Sequence, residues 1–151
     1  MIAVIQRVSR ATVKVDGALV GSCSEGLCVL LGVAKGDTTE DADALSKKIL
    51  NLRIFEDEAG KMNRSLLDVG GEMLVVSNFT LLAAYKKGNR PDYMSAAVPD
   101  EANKLYCYFA DKCEEQVVVG RGVFGADMKV DIANDGPVTI VMDSRVLLGK
   151  A

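Results

Sequence analysis

Two alternating runs near the end of the chain frame its most informative stretch. Met128, Val130 and Ile132 recur at every second position, as do Val138, Ile140 and Met142, and Asn134-Asp135-Gly136-Pro137-Val138-Thr139 lies where they meet. Period two marks a strand with one buried face, and Asn, Asp and Gly are turn formers, so the pattern predicts a hairpin turning over these residues. Pro137 has no N–H to offer a ladder and restricts the return strand to an edge. Two readings stay open on local grounds: a hairpin turn with an edge strand, or a rigid Gly-Pro presented to something else.

The rest of the chain follows the same logic. Alternation from Met1 to Val15, the turn signal Asp16-Gly17 and the run from Ala18 predict a hairpin. The continuous apolar run Leu27 to Val33 predicts a strand buried on both faces. Thr38 or Thr39 can cap a helix with Glu40, Asp41 and Asp43 in its first turn and Ala42, Leu45, Ile49 and Leu52 on one face. A short hairpin tipped by Ala59-Gly60 follows, then a buried strand from Glu72 to Leu82 with Ser77, Asn78 and Thr80 at its exit. Pro99-Asp100-Glu101 opens a second helix with the stripe Ala102, Leu105, Tyr106, Phe109, Ala110 and Cys113. A further strand begins at Val117 and is expected to turn at Gly120-Arg121-Gly122, after which Val123 to Met128 feeds the final hairpin. The predicted fold is α+β, a single domain over residues 1–151, with a mostly antiparallel, strongly curved or barrel-like sheet and two covering helices.

Composition narrows the chemistry. No apolar run approaches the ~20 residues that span a bilayer, and the first residues lack the charged start of a signal peptide, so a soluble, cytoplasmic protein is expected. A net charge of -3 argues against a wholly basic nucleic-acid surface. One local positive patch remains, Tyr85-Lys86-Lys87-Gly88-Asn89-Arg90-Pro91-Asp92-Tyr93, which reads equally as a solvated loop or a phosphate contact. The four cysteines match no zinc or redox spacing and are expected as buried thiols. The absence of histidine excludes Ser-His-Asp and Cys-His catalysis and histidine metal triads. Three stretches assemble a candidate site: Ser77-Asn78-Phe79-Thr80, Phe124-Gly125-Ala126-Asp127-Met128, and Asn134 to Thr139.

These motifs, in this order and together with Lys86-Lys87-Gly88-Asn89-Arg90-Pro91 and the Gln6-Arg7-Val8 start, closely resemble the D-aminoacyl-tRNA deacylase family across essentially the whole chain. The resemblance implies a homodimer, without metal or cofactor, that hydrolyses the ester between a D-amino acid and the terminal adenosine of tRNA. It implies that the Gly136-Pro137 peptide is cis and enters the partner's active site, where it leaves no room for an L side chain. Glycine, having none, would also be cleaved. It further implies a catalytic set of Ser77, Phe79, Thr80, Gly136 and Pro137, with the amides of Phe79 and Thr80 as oxyanion donors. Hydrolysis would be assisted by the ribose 2′-hydroxyl; Thr80 as nucleophile is the alternative, and no base stands near it in sequence. Asn78, Phe124, Gly125, Ala126, Met128, Asn134 and Arg7 are the implied substrate-binding residues, with Arg7 holding the Gly-Pro segment. Lys86, Lys87 and Arg90 are the implied phosphate contacts. Asn78 stands where the family has Gln, and Ala84-Tyr85 replaces an acidic and a small polar residue. A non-catalytic module for the tRNA end, or an esterase of other D-aminoacyl compounds, are the competing functions.

Overall fold

A computed structural model describes residues 1–151. The long strand β1 (Ile2–Val15) is the axis of the fold. Its first half pairs with β3 (Gly26–Gly32) and its last residues with β2 (Ala18–Cys23), both antiparallel. Strand β8 (Lys129–Asp143) runs antiparallel along nearly all of β1, from Ile2 opposite Asp143 to Lys14 opposite Lys129. A strand has two edges, so β2 and β3 share the one that β8 leaves open, and β1 bends between them.

From β3 the sheet continues in parallel to β6 (Glu72–Ser77) and β7 (Val119–Arg121). It then curls back until β7 reaches β2. There Gly21 lies against the Arg121 carbonyl and Gly120 against the Ser22 carbonyl, so close that a Cβ at either position would strike the opposing backbone. Two glycines thus let the sheet approach closure as a barrel. The alternation separates two cores. Ile5, Leu27, Val29, Leu31, Met73 and Val75 face the helices, while Val8, Ala11, Val13, Cys23, Cys28, Leu74 and Val76 form a smaller cluster on the opposite face.

The larger core is covered by α1 (Thr39–Leu50) and α3 (Pro99–Glu114). Thr38 caps α1 in a reciprocal box with Asp41, and Pro99 stands in the first turn of α3. Between them lie the small hairpin β4 (Phe55–Glu56) with β5 (Met62–Arg64), and the single turn α2 (Leu66–Val69). A second single turn, α4 (Ser144–Leu147), ends the fold; the Ser144 hydroxyl donates to Asp41 at 2.7 Å and ties it to α1. No helix is long and apolar enough to cross a membrane.

Four expectations need correction. Residues 134–139 do not turn a hairpin: both flanking runs belong to the one strand β8, and the segment bulges from it. The strand predicted from Glu72 to Leu82 ends at Ser77, and Phe79–Leu82 form a 3-10 turn instead. Its position is set by Gly32, where a Cβ would lie 3.0 Å from the Asn78 carbonyl oxygen, so the chain crosses over the end of β3. Gly120-Arg121 is strand rather than turn, because Leu74 and Val75 pair with it. Cys107 is half-buried, whereas the other three cysteines are buried as expected.

The crossing of β2 and β7 yields a direct expectation. Gly120→Ala forces two backbones apart and should cost on the order of 3 kcal/mol, read as a lowered urea midpoint with an unchanged slope. A wild-type midpoint would mean that the edges do not approach so closely.

Candidate active site

The parallel strands β3 and β6 end side by side, and the chain leaves both toward one cavity of about 700 Å³. Leu30, Leu31 and Val33 come from β3 and its exit, and Val76, Ser77, Asn78 and Phe79 from β6 and the 3-10 turn. Ala102 and Tyr106 of α3 form another wall, and Phe124, Gly125, Ala126, Met128, Val130 and Ile132 lead into β8. Clefts at the C-terminal ends of parallel strands are common ligand sites, since the strands stop there and their loops diverge.

The cavity is apolar with few polar groups, and its only ionisable side chains are Tyr93 and Tyr106. Tyr106 donates its hydroxyl to the Val75 carbonyl at 2.9 Å, and burial pushes its phenol up to about 12. Burial likewise pushes the Cys23 thiol up to about 11 and those of Cys28 and Cys113 to about 12, which keeps these thiols protonated and unreactive near neutrality. No side chain lining this cavity can serve as an ordinary general base near neutral pH.

Beside the cavity, the 3-10 turn offers backbone donors. Leu31 fixes the entry to the 3-10 turn by accepting the Asn78 N–H at 2.8 Å. The amides of Phe79 and Thr80 come first in that turn, before any intrahelical acceptor is available, and have no protein partner. Thr80 donates its hydroxyl to the Asn78 amide oxygen at 2.5 Å, and Thr80 is exposed at the rim rather than among the lining residues. The Phe79 ring is 59% exposed and meets the edge of Tyr93, with 5.1 Å between centroids. Met128 packs toward Gly122, where a Cβ would sit 2.7 Å from its sulfur.

Of the residues singled out in the sequence, Ser77, Asn78, Phe79, Phe124, Gly125, Ala126 and Met128 share this cavity. Arg7, Asn134, Gly136 and Pro137 do not line it; they build the bulge of β8. Gln6 pairs with Thr139 and Val8 with Asn134, so residues 135 to 138 stand opposite Arg7 alone. Asn134 closes the base of the bulge: its side-chain oxygen accepts from the Val138 N–H at 2.8 Å and its amide donates to the Thr139 hydroxyl at 3.0 Å. Arg7, only 8% exposed, donates from Nε to the Asp135 carbonyl at 2.9 Å and from Nη1 to the Ile54 carbonyl at 2.8 Å. Gly136-Pro137 is a cis peptide, and both residues are exposed at the tip. Lys86, Lys87 and Arg90 sit in an exposed loop beyond Tyr85, apart from the cavity lining.

Sequence reasoning did not single out Tyr93, Tyr106, Val130 or Ile132 as site residues. Tyr106 was legible only as a member of the apolar stripe of α3. Tyr93 reaches the cavity because Ala84 and Asp92 exchange backbone hydrogen bonds at 2.7 and 2.8 Å, a pairing that composition cannot signal.

The relatives of the chain agree with this architecture. A family described as D-Tyr-tRNA(Tyr) deacylase matches residues 4–143. A D-aminoacyl-tRNA deacylase of Kosmotoga olearia is 58% identical over 145 residues, covering 96% of this chain and 98% of that protein. One of Persephonella marina is 56% identical, covering 97% of this chain and 100% of that protein. Among solved structures, a protein described as c-Myc DNA Unwinding Element Binding Protein is 43% identical with a TM-score of 0.89, covering 95% of this chain and 98% of its own. A probable eukaryotic D-amino acid tRNA deacylase, at 16% identity and a TM-score of 0.78, shares the fold over 94% of this chain and 98% of its own. The fold and relatives define a hydrolase of the deacylase class. The chain belongs to the D-aminoacyl-tRNA deacylase family.

Arg7 anchors the bulge from inside the sheet, so its removal has a definite signature. Arg7→Met keeps the apolar stem but leaves the buried Ile54 carbonyl without a donor, at a cost of about 1–3 kcal/mol. Urea unfolding should show that loss, and limited proteolysis should cut residues 135–138 faster than in the wild type.

Proposed function

We propose that the cavity receives the aminoacylated terminal adenosine of tRNA and that the protein hydrolyses the ester of a D-amino acid or glycine. The observation that carries this reading is the pair of unpaired amides at Phe79 and Thr80, in the turn beside a cavity whose lining offers no general base. An ester needs no strong base if its developing oxyanion is held and its attacking water positioned. Water attacks the ester carbonyl carbon, the oxyanion rests on the Phe79 and Thr80 amides, and the bond to the ribose 3′-oxygen breaks. The neighbouring 2′-hydroxyl relays the proton from water toward that leaving oxygen. Ser77 and Asn78 orient the ester, while Phe124, Gly125, Ala126 and Met128 hold the purine. Thr80 positions rather than attacks: its hydroxyl proton is already engaged by the Asn78 amide, which is no base.

Chirality is read by exclusion in this proposal. The bulge carries Gly136-Pro137 outward on its own strand, and in a homodimer it enters the partner's cavity. A rigid tip poor in side chains fills the volume that an L side chain requires and leaves the D side chain untouched. Arg7 and Asn134 hold the tip from below. Lys86, Lys87 and Arg90 contact tRNA phosphates, and the release of miscoupled tRNA in the cytoplasm makes the reaction a proofreading step.

Deacylation of labelled D- and L-aminoacyl-tRNA by the purified protein is the test. Turnover of the D form with the L form left intact is expected, and equal rates or none would refute the proposal. Glycyl-tRNA should also be cleaved at enzyme levels that clear the D substrate. A 2′-deoxy terminal adenosine should slow turnover by about 10²-fold or more, the usual worth of a positioned proton relay. Thr80→Val should retain turnover; complete loss in a folded protein that still binds substrate would make Thr80 the nucleophile.

A further inference from the structure

Tyr85 is the most exposed large hydrophobic side chain of the protein, at 80%, and its hydroxyl makes no hydrogen bond within the chain. Exposed tyrosines are ordinary on mobile loops, but this one is anchored at its base. Ala84 and Asp92 on either side of the loop exchange both backbone bonds, and the Asp92 carboxylate accepts the Met94 N–H at 2.6 Å. Next to that bridge on the returning side, Tyr93 lines the cavity and packs on Phe79. The stem of the loop thus joins Tyr85, exposed at the surface, to Tyr93 at the cavity.

Cations follow Tyr85 in the loop. Lys86, Lys87 and Arg90 are exposed, and none engages in an ion pair. An aromatic face beside unpaired cations matches single-stranded nucleic acid, whose bases stack while its phosphates take the charges.

We propose that Tyr85 is a stacking platform for a base of the single-stranded 3′ end of tRNA, outside the nucleoside that occupies the cavity. This inference rests on the deacylase reading and adds a specificity determinant to it. Tyr85 favours a polynucleotide over a bare aminoacyl nucleoside because only the former has a base that reaches the platform. Its ring supplies area with two rotatable bonds, so little entropy is lost on stacking. The contribution is independent of the attached amino acid and of charge.

The test compares D-aminoacyl-tRNA with D-aminoacyl-adenosine as substrates for the wild type, Tyr85→Ala and Tyr85→Phe. Tyr85→Ala should raise KM for the tRNA substrate about tenfold, the scale of one lost base stack, and lower the ratio of kcat/KM between the two substrates by the same factor. Tyr85→Phe should behave as wild type. The salt dependence of KM should keep its slope in Tyr85→Ala and become shallower in Lys86→Ala/Lys87→Ala. A ratio unchanged in Tyr85→Ala, or equal damage by Ala and Phe, overturns the stacking role while leaving the deacylase reading intact. A wild type that fails to cleave D-aminoacyl-tRNA overturns the deacylase reading and the stacking role with it.

Discussion

Strand β8 carries more residues than β1 can pair. Between the rungs Gln6–Thr139 and Val8–Asn134 four residues of β8 face one of β1, and because pairing resumes on both sides the surplus has to leave the sheet. It leaves as a compact bulge because each polar group at its base finds a partner: Asn134 serves Val138 and Thr139, and Arg7 reaches from the neighbouring strand to Asp135. Burial of Arg7 makes this anchorage stiff, since a guanidinium removed from water holds its acceptors more tightly than an exposed one. The rest of the site depends on this constraint. It presents Gly136-Pro137 as an exposed tip outside the lining of the chain's own cavity, as the proposed insertion into a partner requires.

The cavity has its own economy of means. Its walls are the apolar ends of β3, β6, α3 and β8, and the 3-10 turn at Phe79–Leu82 beside it leaves two main-chain amides unpaired. Such donors do not titrate and need no reorganisation when an oxyanion forms. A chain without histidine can therefore support ester hydrolysis if the substrate brings its own proton relay. The proposed platform at Tyr85 extends the same principle outward, since stacking beside cations reads faces and phosphates rather than hydrogen-bonded base edges.

Much of this was legible in the chain. Thr38 as a cap, Pro99 at a helix start, the Asp16-Gly17 turn and the buried runs around Leu27 and Met73 are local signals, and local signals survive folding. The errors came where a distant neighbour decides. Residues 134–139 have the composition of a hairpin turn, and only the presence of β1 alongside both flanks makes them a bulge. The apolar run continues past Ser77, and only the bare Gly32 of another strand diverts it into a 3-10 turn. Gly120 reads as a turn residue; it is a strand residue because Leu74 of β6 pairs with it, and a glycine because β2 crosses it too closely for a side chain. The motifs at 77–80 and 124–128 could be assigned to one site before their geometry was known, whereas Tyr93 depends on a loop pairing that leaves no mark in composition.

The central claim is that a catalytic centre is completed by the Gly136-Pro137 tip of a second subunit. A crystal structure with a non-hydrolysable D-aminoacyl-adenosine analogue tests it most directly. The account predicts the adenine against Phe124 and Met128, the acyl carbonyl oxygen at the Phe79 and Thr80 amides, and the tip of the partner subunit closing the side that an L side chain would need. An analogue bound in that cavity with both tips remote from it, or bound elsewhere on the protein, would contradict the account.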